Sequence, residues 1–188
     1  MSESLITKRA IADSLKELTR SKTFDKISVK DITENCGINR QTFYYHFEDK
    51  FKLLEWIYEN DLWEKPMAEV DFDNWPEKME EVLTIMTGDK YFYINTISHT
   101  ENYIQTYLLG QAQTLFEQAI DKLDEKGKVK DAERNYIARF FAYGICGTVI
   151  EWALKGMEET PEFVTSNMRN MLISCSRAAY LHINEITQ

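Results

Sequence analysis

The chain predicts an all-α protein of about nine helices. Only 7 of its 188 residues are glycine and 3 are proline, so long stretches lack the punctuation that strand-and-turn folds require. Apolar residues recur at three- and four-residue steps, the spacing of one helix face. Helix-capping residues stand where these periodic segments begin and end.

The elements follow in order. A first helix over Leu5–Ser21 places Leu5, Ala12, Leu15 and Leu18 on one stripe. Ser28, followed by Asp31, has the Ser-x-x-acid form of a helix start, and Val29, Ile32 and Cys36 give that short helix an apolar side. Gly37 ends it, because glycine tolerates the left-handed backbone of a tight exit. Asn39 caps a second short helix, Arg40–Phe47, with Phe43 and Phe47 on its inner side. Glu48 and Asp49 open a fourth helix carrying Phe51, Leu54, Trp56, Ile57, Tyr58 and Trp63. Pro66 and the acidic stretch Glu69–Asp73 mark a loop or hinge. Beyond it, helices are expected over Trp75–Met86, Tyr91–Ser98, Glu101–Leu123 and Ala132–Lys155. The last runs from a Thr160 cap and Pro161 to about Ile183, with proline at the first helical position. Two domains are expected, residues 1–50 and 51–188.

Composition narrows the function. The net charge is -9, but residues 1–56 hold 10 Lys+Arg against 9 Asp+Glu, and the remainder 12 against 22. The acidity therefore belongs to the second part, and whole-chain charge is the wrong test for an anionic partner. Cys36, Cys146 and Cys175 lie far apart without metal-ligand spacing and read as reduced thiols of a cytoplasmic protein. The polar N-terminus is no signal peptide, and no apolar run reaches roughly 18 residues, so no membrane span is expected. His46, His99 and His182 have no paired spacing, and there is no phosphate loop or nucleophile motif, so neither a metal, a cofactor nor an enzymatic activity is expected.

The segment Phe24–Leu54 carries the most specific signal. Apart from its apolar pair, the second short helix presents Arg40, Gln41, Thr42, Tyr44, Tyr45 and His46, nearly all able to donate hydrogen bonds to phosphates or base edges. A helix built only for solubility would show Glu and Lys pairs instead. Ser28, Ile32, Cys36-Gly37-Ile38, Thr42-Phe43-Tyr44-Tyr45-His46-Phe47 and Lys50 together resemble the helix-turn-helix domain of TetR-type bacterial transcriptional regulators. Gln41 departs from the small residue many relatives carry there. The resemblance implies a homodimer reading a palindromic double-stranded operator, with Arg40, Gln41, Tyr45 and Lys30 toward bases and Ser28, Thr42, Tyr44, His46 and Lys50 toward phosphates. Each role has a plain competitor: Tyr44 as a filler against the first helix, and His46 as a brace for the fourth. A helical interaction module without DNA binding is the rival reading.

The last two helices hold a second pattern. Phe140, Gly144, Gly147 and Glu151 recur at three- and four-residue steps beside Thr148 and Trp152. Each helix-interior glycine costs about 1 kcal/mol relative to alanine, so close packing must offset it, either within the chain or against a second copy. The second reading makes Phe140, Gly144, Gly147, Thr148, Glu151 and Trp152, with Met168, Met171, Leu172 and Cys175, a dimer interface, the arrangement the family resemblance implies. This region is also similar to the DhaS-like branch of the family, regulators of dihydroxyacetone kinase operons. That resemblance implies an activator controlled by a kinase-like co-regulator protein. The alternative is a repressor released by a small-molecule effector in a cavity lined by Trp75, Tyr91, Phe92, Tyr93, Tyr103, Tyr107, Phe116 and Tyr143. The same aromatics at helical spacing also fit an ordinary core.

Overall fold

The computed structural model describes the backbone of residues 3–71, 73–124 and 129–186, and side chains as far as residue 174 apart from Leu123. Among the described residues there are nine α-helices and no strand: α1 (Glu3–Leu18), α2 (Val29–Asn35), α3 (Arg40–His46), α4 (Lys50–Tyr58), α5 (Trp75–Gly88), α6 (Lys90–Ser98), α7 (Tyr103–Leu123), α8 (Asp131–Leu154) and α9 (Pro161–Ile186). One hydrophobic core runs from Ile11 and Phe24 through Phe43, Leu54, Tyr58 and Phe92 to Trp152 and Met168.

Local chemistry sets the boundaries of the first helices. The Ser28 hydroxyl accepts from the Asp31 amide, and the Asp31 carboxylate accepts from the Ser28 amide at 2.8 Å, closing a reciprocal capping box. At the other end of α2, Ile38 N donates to the Thr33 carbonyl and Gly37 N to that of Glu34, while Gly37 turns left-handed at φ 71°. Asn39 Oδ1 then accepts from Thr42 N and starts α3, and Asp49 Oδ1 accepts from Phe51 N and Lys52 N to start α4. Ser14, buried on α1, donates to the Ile32 carbonyl at 2.8 Å, tying α1 to α2. Ile32, Phe43 and Phe47 complete the packing of the three helices.

Three features differ from expectation. First, α1 stops at Leu18 instead of Ser21, because the carbonyls of Thr19 and Lys22 are drawn to Asn95 on α6. Second, α4 continues into one wide turn, Glu59–Trp63, closed by Glu64 N on the Glu59 carbonyl at 2.8 Å. The extra residue in that turn rotates the chain beyond it, burying Leu62 and bringing Asp61 to 2.6 Å from Lys16. Third, α8 is long and apolar enough to cross a membrane. Its buried residues Ala138, Ala142, Cys146, Val149, Trp152 and Ala153 supply the core instead.

Behind the first three helices, Tyr58, Phe92 and Tyr93 are fully buried and pack edge to face. The Tyr58 and Thr96 hydroxyls share a hydrogen bond of 2.7 Å, and Tyr93 donates to Asp61. α7 lies along α8, with Phe116 stacked on Phe141, and α9 packs on α5. The loop before α5 is pinned by Asp71 Oδ1, which accepts from Asp73 N and Asn74 N. α9 begins as expected, with Phe163 N donating to the Thr160 hydroxyl and Pro161 in the first turn.

Lys50 differs most from its expected role. Its ammonium donates to the carbonyls of Phe24, Asp25 and Ile27 at 2.8, 3.1 and 2.7 Å, and it lies 4.6 Å from the centre of the Phe24 ring. Partial burial lowers its pKa, with Asp25 and Asp31 pulling it back up. All three ammonium hydrogens have internal acceptors, so in this structure Lys50 braces the turn between α1 and α2 instead of facing outward. Replacing Lys50 with Met should therefore cost about 1–3 kcal/mol of folding stability, because carbonyls lose a charged donor. Urea unfolding of the two proteins measures this.

Hydrogen bonds from Ser28 and Lys22 hold the Asp31 carboxyl well below the usual aspartate range. A folded-state pKa below the unfolded one favours the ionised form, so this contribution is present above the ordinary aspartate range and fades as pH falls through it. Asp31→Asn should therefore flatten the fall in melting temperature between about pH 5 and about pH 2, where Asp31 of the unfolded chain takes up a proton that the folded protein still excludes.

Candidate nucleic-acid interface

The geometry of α3 follows from its inner side. Phe43 is fully buried and Phe47 nearly so, which fixes the helix rotation and turns Arg40, Gln41, Tyr44 and Tyr45 outward. Arg40 and Tyr44 are four residues apart, as are Gln41 and Tyr45, so the four form one contiguous outer patch. Tyr45 is 82% exposed and Tyr44 56%. Tyr44 leans edge-on against Phe43 with ring centres 5.5 Å apart, yet its exposure rules out the filler role. Among the described residues, the Arg40 and Gln41 side chains have no partner within the chain. This patch offers a guanidinium, an amide and two phenols, a set able to pair with base edges and phosphate oxygens.

The neighbouring candidates divide. Lys30 is exposed on α2 and only loosely paired with Glu34 at 3.6 Å, so its charge stays available. Half-buried Thr42 directs its hydroxyl at Asn39 Oδ1, at 3.1 Å. His46 is half-buried, packed edge-on against Tyr45 at 5.0 Å. Ser28 departs from expectation: its hydroxyl donates to Asp31 Oδ2 at 2.6 Å while accepting from the Asp31 amide. With a carboxylate held against it, that helix start is a closed cap and a poor phosphate site. Lys22 pairs with the same carboxylate at 2.9 Å.

A second outward face lies at the other end of the molecule. On α8, Tyr136, Phe140 and Tyr143 are exposed, in line with Gly144, Gly147, Thr148 and Glu151. Among the described residues, a Cβ built on Gly144 or Gly147 would meet nothing within 4 Å. Phe163, Met171 and Ile173 are exposed on α9, and Leu172 is half-buried. Two expected members of this face belong elsewhere. Trp152 is 3% exposed and its Nε1 donates to the Glu159 carbonyl at 2.9 Å; Met168 is likewise buried. Both sit on the inner side of their helices, one step round from the outward residues. Cys175 lies outside the residues whose side chains are described. Tyr143, Phe163 and Ile173 were missed as members of the face, although Tyr143 lies four residues before Gly147 on the same stripe.

The expected aromatic cavity takes a different form. Phe92 and Tyr93 are core, whereas Tyr91 and Tyr143 are exposed. Tyr103 and Tyr107 line an open groove of about 740 Å³ with Phe51, Glu55, Gly110 and Gln111. Tyr103 donates to Glu55 and Tyr107 to Glu59, at 2.5 and 2.7 Å; burial and the adjacent carboxylates push both phenol pKa values up. His99 Nδ1 bonds the Asn95 carbonyl and is a local brace. Burial pushes the Cys146 thiol up to about 12, which leaves it unreactive.

Comparison with known proteins agrees with this geometry. Residues 11–57 match the family described as bacterial regulatory proteins, tetR family, and residues 73–174 match a transcriptional regulator C-terminal region. The HTH-type dhaKLM operon transcriptional activator DhaS of Lactococcus lactis subsp. lactis (strain IL1403) is 30% identical over 176 residues, covering 93% of this chain and 92% of that protein. The solved structure of a dihydroxyacetone kinase operon activator DhaS superposes with a TM-score of 0.69 at 29% identity, over 90% of this chain and 96% of that one. The fatty acid degradation regulator FadR from Bacillus halodurans shares the fold alone, with a TM-score of 0.58 at 14% identity over 92% and 95% of the two chains. With these matches over nearly the whole length, the chain belongs to the TetR family of bacterial transcriptional regulators.

Proposed function

We propose that the protein is a homodimeric, sequence-specific regulator that sets its two α3 helices into successive major grooves of a palindromic operator. The observation that carries this reading is the outer patch of α3: four side chains rich in donors, held outward by a buried Phe43, with Arg40 and Gln41 free of internal partners among the described residues. Two copies joined by a two-fold axis would place these helices about one DNA turn, roughly 34–36 Å, apart. Arg40 is the candidate for a guanine edge through its two-pronged guanidinium. Gln41 and Tyr45 add base contacts, with Lys30 reaching in from α2; Tyr44, His46 and Thr42 meet phosphates. The outward faces of α8 and α9 supply the subunit contact, since exposed aromatics flanking open glycines suit the close approach of a second helix pair.

The similarity to DhaS supports a narrower reading, in which the chain activates genes of dihydroxyacetone metabolism from within the cytoplasm. Because several of the expected cavity aromatics are either core or exposed, a kinase-like partner protein is favoured over a small inducer as the regulatory input. Co-precipitation with a kinase-like subunit, set against a thermal-shift series with dihydroxyacetone, separates the two inputs. DNase footprinting upstream of the gene and its neighbours should reveal a symmetric protected site; protection without symmetry would overturn the dimeric reading.

Arg40→Ala should cost about 1–3 kcal/mol of operator affinity and relax discrimination at one base position. Gel shifts against operators substituted base by base measure both. Gly147→Leu should leave the far-ultraviolet circular dichroism intact, since leucine is the better helix former by several tenths of a kcal/mol to about 1. It should nevertheless convert the dimer to monomer in light scattering, because the side chain would fill the space a second helix needs.

A further inference from the structure

We propose that Asn95, on α6, is a positioning residue for operator binding: with Lys50 it fixes the turn that carries the reading helices, and thereby the separation of the two α3 helices in the dimer. The inference rests on the dimeric reading above. Asn95 Nδ2 donates to the carbonyls of Thr19 and Lys22, and its Oδ1 accepts from Phe24 N, all at 2.8 Å. These partners are more than 70 residues away along the chain. The two carbonyls lie just past the end of α1, where a helix leaves acceptors without partners of its own. Asparagine matches them because its amide has two donors and an acceptor on one short stem. Aspartate would set a negative charge against two carbonyl oxygens.

Lys50 completes the clamp from the other side. Asn95 of α6 holds the N–H of Phe24, and Lys50 of α4 holds its carbonyl. One residue, its ring fully buried against Phe51, is thus gripped at both ends of its backbone by two different helices. Four residues later the Ser28 cap begins α2, so the reading helices lie where α4 and α6 jointly put them. The salt bridges of Lys16 with Asp61 and Asp89 run along the same seam between α1 and the helices behind it.

Affinity for spacing, and not affinity alone, tests this. Fluorescence anisotropy would be read on operators whose half-sites are moved apart by about 2 and about 4 base pairs, and on a single half-site. The proteins are the full-length wild type, Asn95→Ala and the milder Asn95→Ser, each checked for dimer mass and thermal unfolding. Wild type should prefer its natural spacing by more than about thirtyfold; the variants should bind that operator roughly tenfold more weakly. Their preference among spacings should shrink to within about threefold, with half-site binding unchanged. A variant that keeps the wild-type spacing profile overturns the inference. So does equal loss on the half-site and the full operator, which would mean that Asn95 only sustains the fold. Wild type without any spacing preference would instead sink the dimeric reading, and this inference with it.

Discussion

The reading helices α2 and α3 have seven residues each, too short to persist in water without help. Their existence depends on the burial of Ile32, Phe43 and Phe47 against α1 and α4, with side-chain caps at Ser28 and Asn39 completing each start. This constraint explains much of the rest. Because stability comes from the inner side and the ends, the outer residues of α3 carry no structural duty. Arg40, Gln41, Tyr44 and Tyr45 are therefore available for recognition, and the helix tolerates aromatic and amide groups where a self-supporting helix would need Glu and Lys pairs.

The same dependence ties the reader to the rest of the molecule. A small unit with a small core leans on the helices behind it. Phe24 packs on Phe51, Phe51 on Tyr103, and the core continues without a break into α5, α6 and α8. Polar contacts take this route too, from Asn95 and Lys50 to the turn after α1, and from Asp61 to Lys16. A regulatory event on α6 or α7 has a short mechanical path to α3, through groups that are hydrogen-bonded and not merely adjacent.

Much of this was legible in the sequence because it is local. Caps, the Gly37 stop, the Pro161 start and the order of helices all derive from residues within four or five of one another. The features that escaped depend on distant partners. Nothing near Lys50 reveals that three carbonyls more than twenty residues earlier will claim its ammonium. Nothing near Asn95 marks it as the anchor of α1. The inward turn of Trp152 and Met168 was missed for a related reason: α8 is apolar on two sides, so spacing alone does not say which side meets the core. Burial resolves it, since among the described residues nothing lies within 4 Å of a Cβ on Gly144 or Gly147, while Cys146 and Val149 between and beside them are buried.

Charge sets the character of the recognition. Residues 1–56 carry a net charge of only +1, and several of their lysines are engaged internally: Lys22 with Asp31, Lys52 with Glu55, Lys16 with Asp61, and Lys50 with backbone carbonyls. Counterion release scales with the number of phosphates neutralised, so the sequence-independent part of binding is small for such a reader. Under the dimeric reading proposed above, discrimination then rests on matched contacts from Arg40, Gln41 and Tyr45, and on two readers engaging at once at a fixed separation. Under those conditions a small displacement of one reader removes a contact that general electrostatic attraction does not replace, so rigid backing of α3 matters more here than in a strongly basic domain.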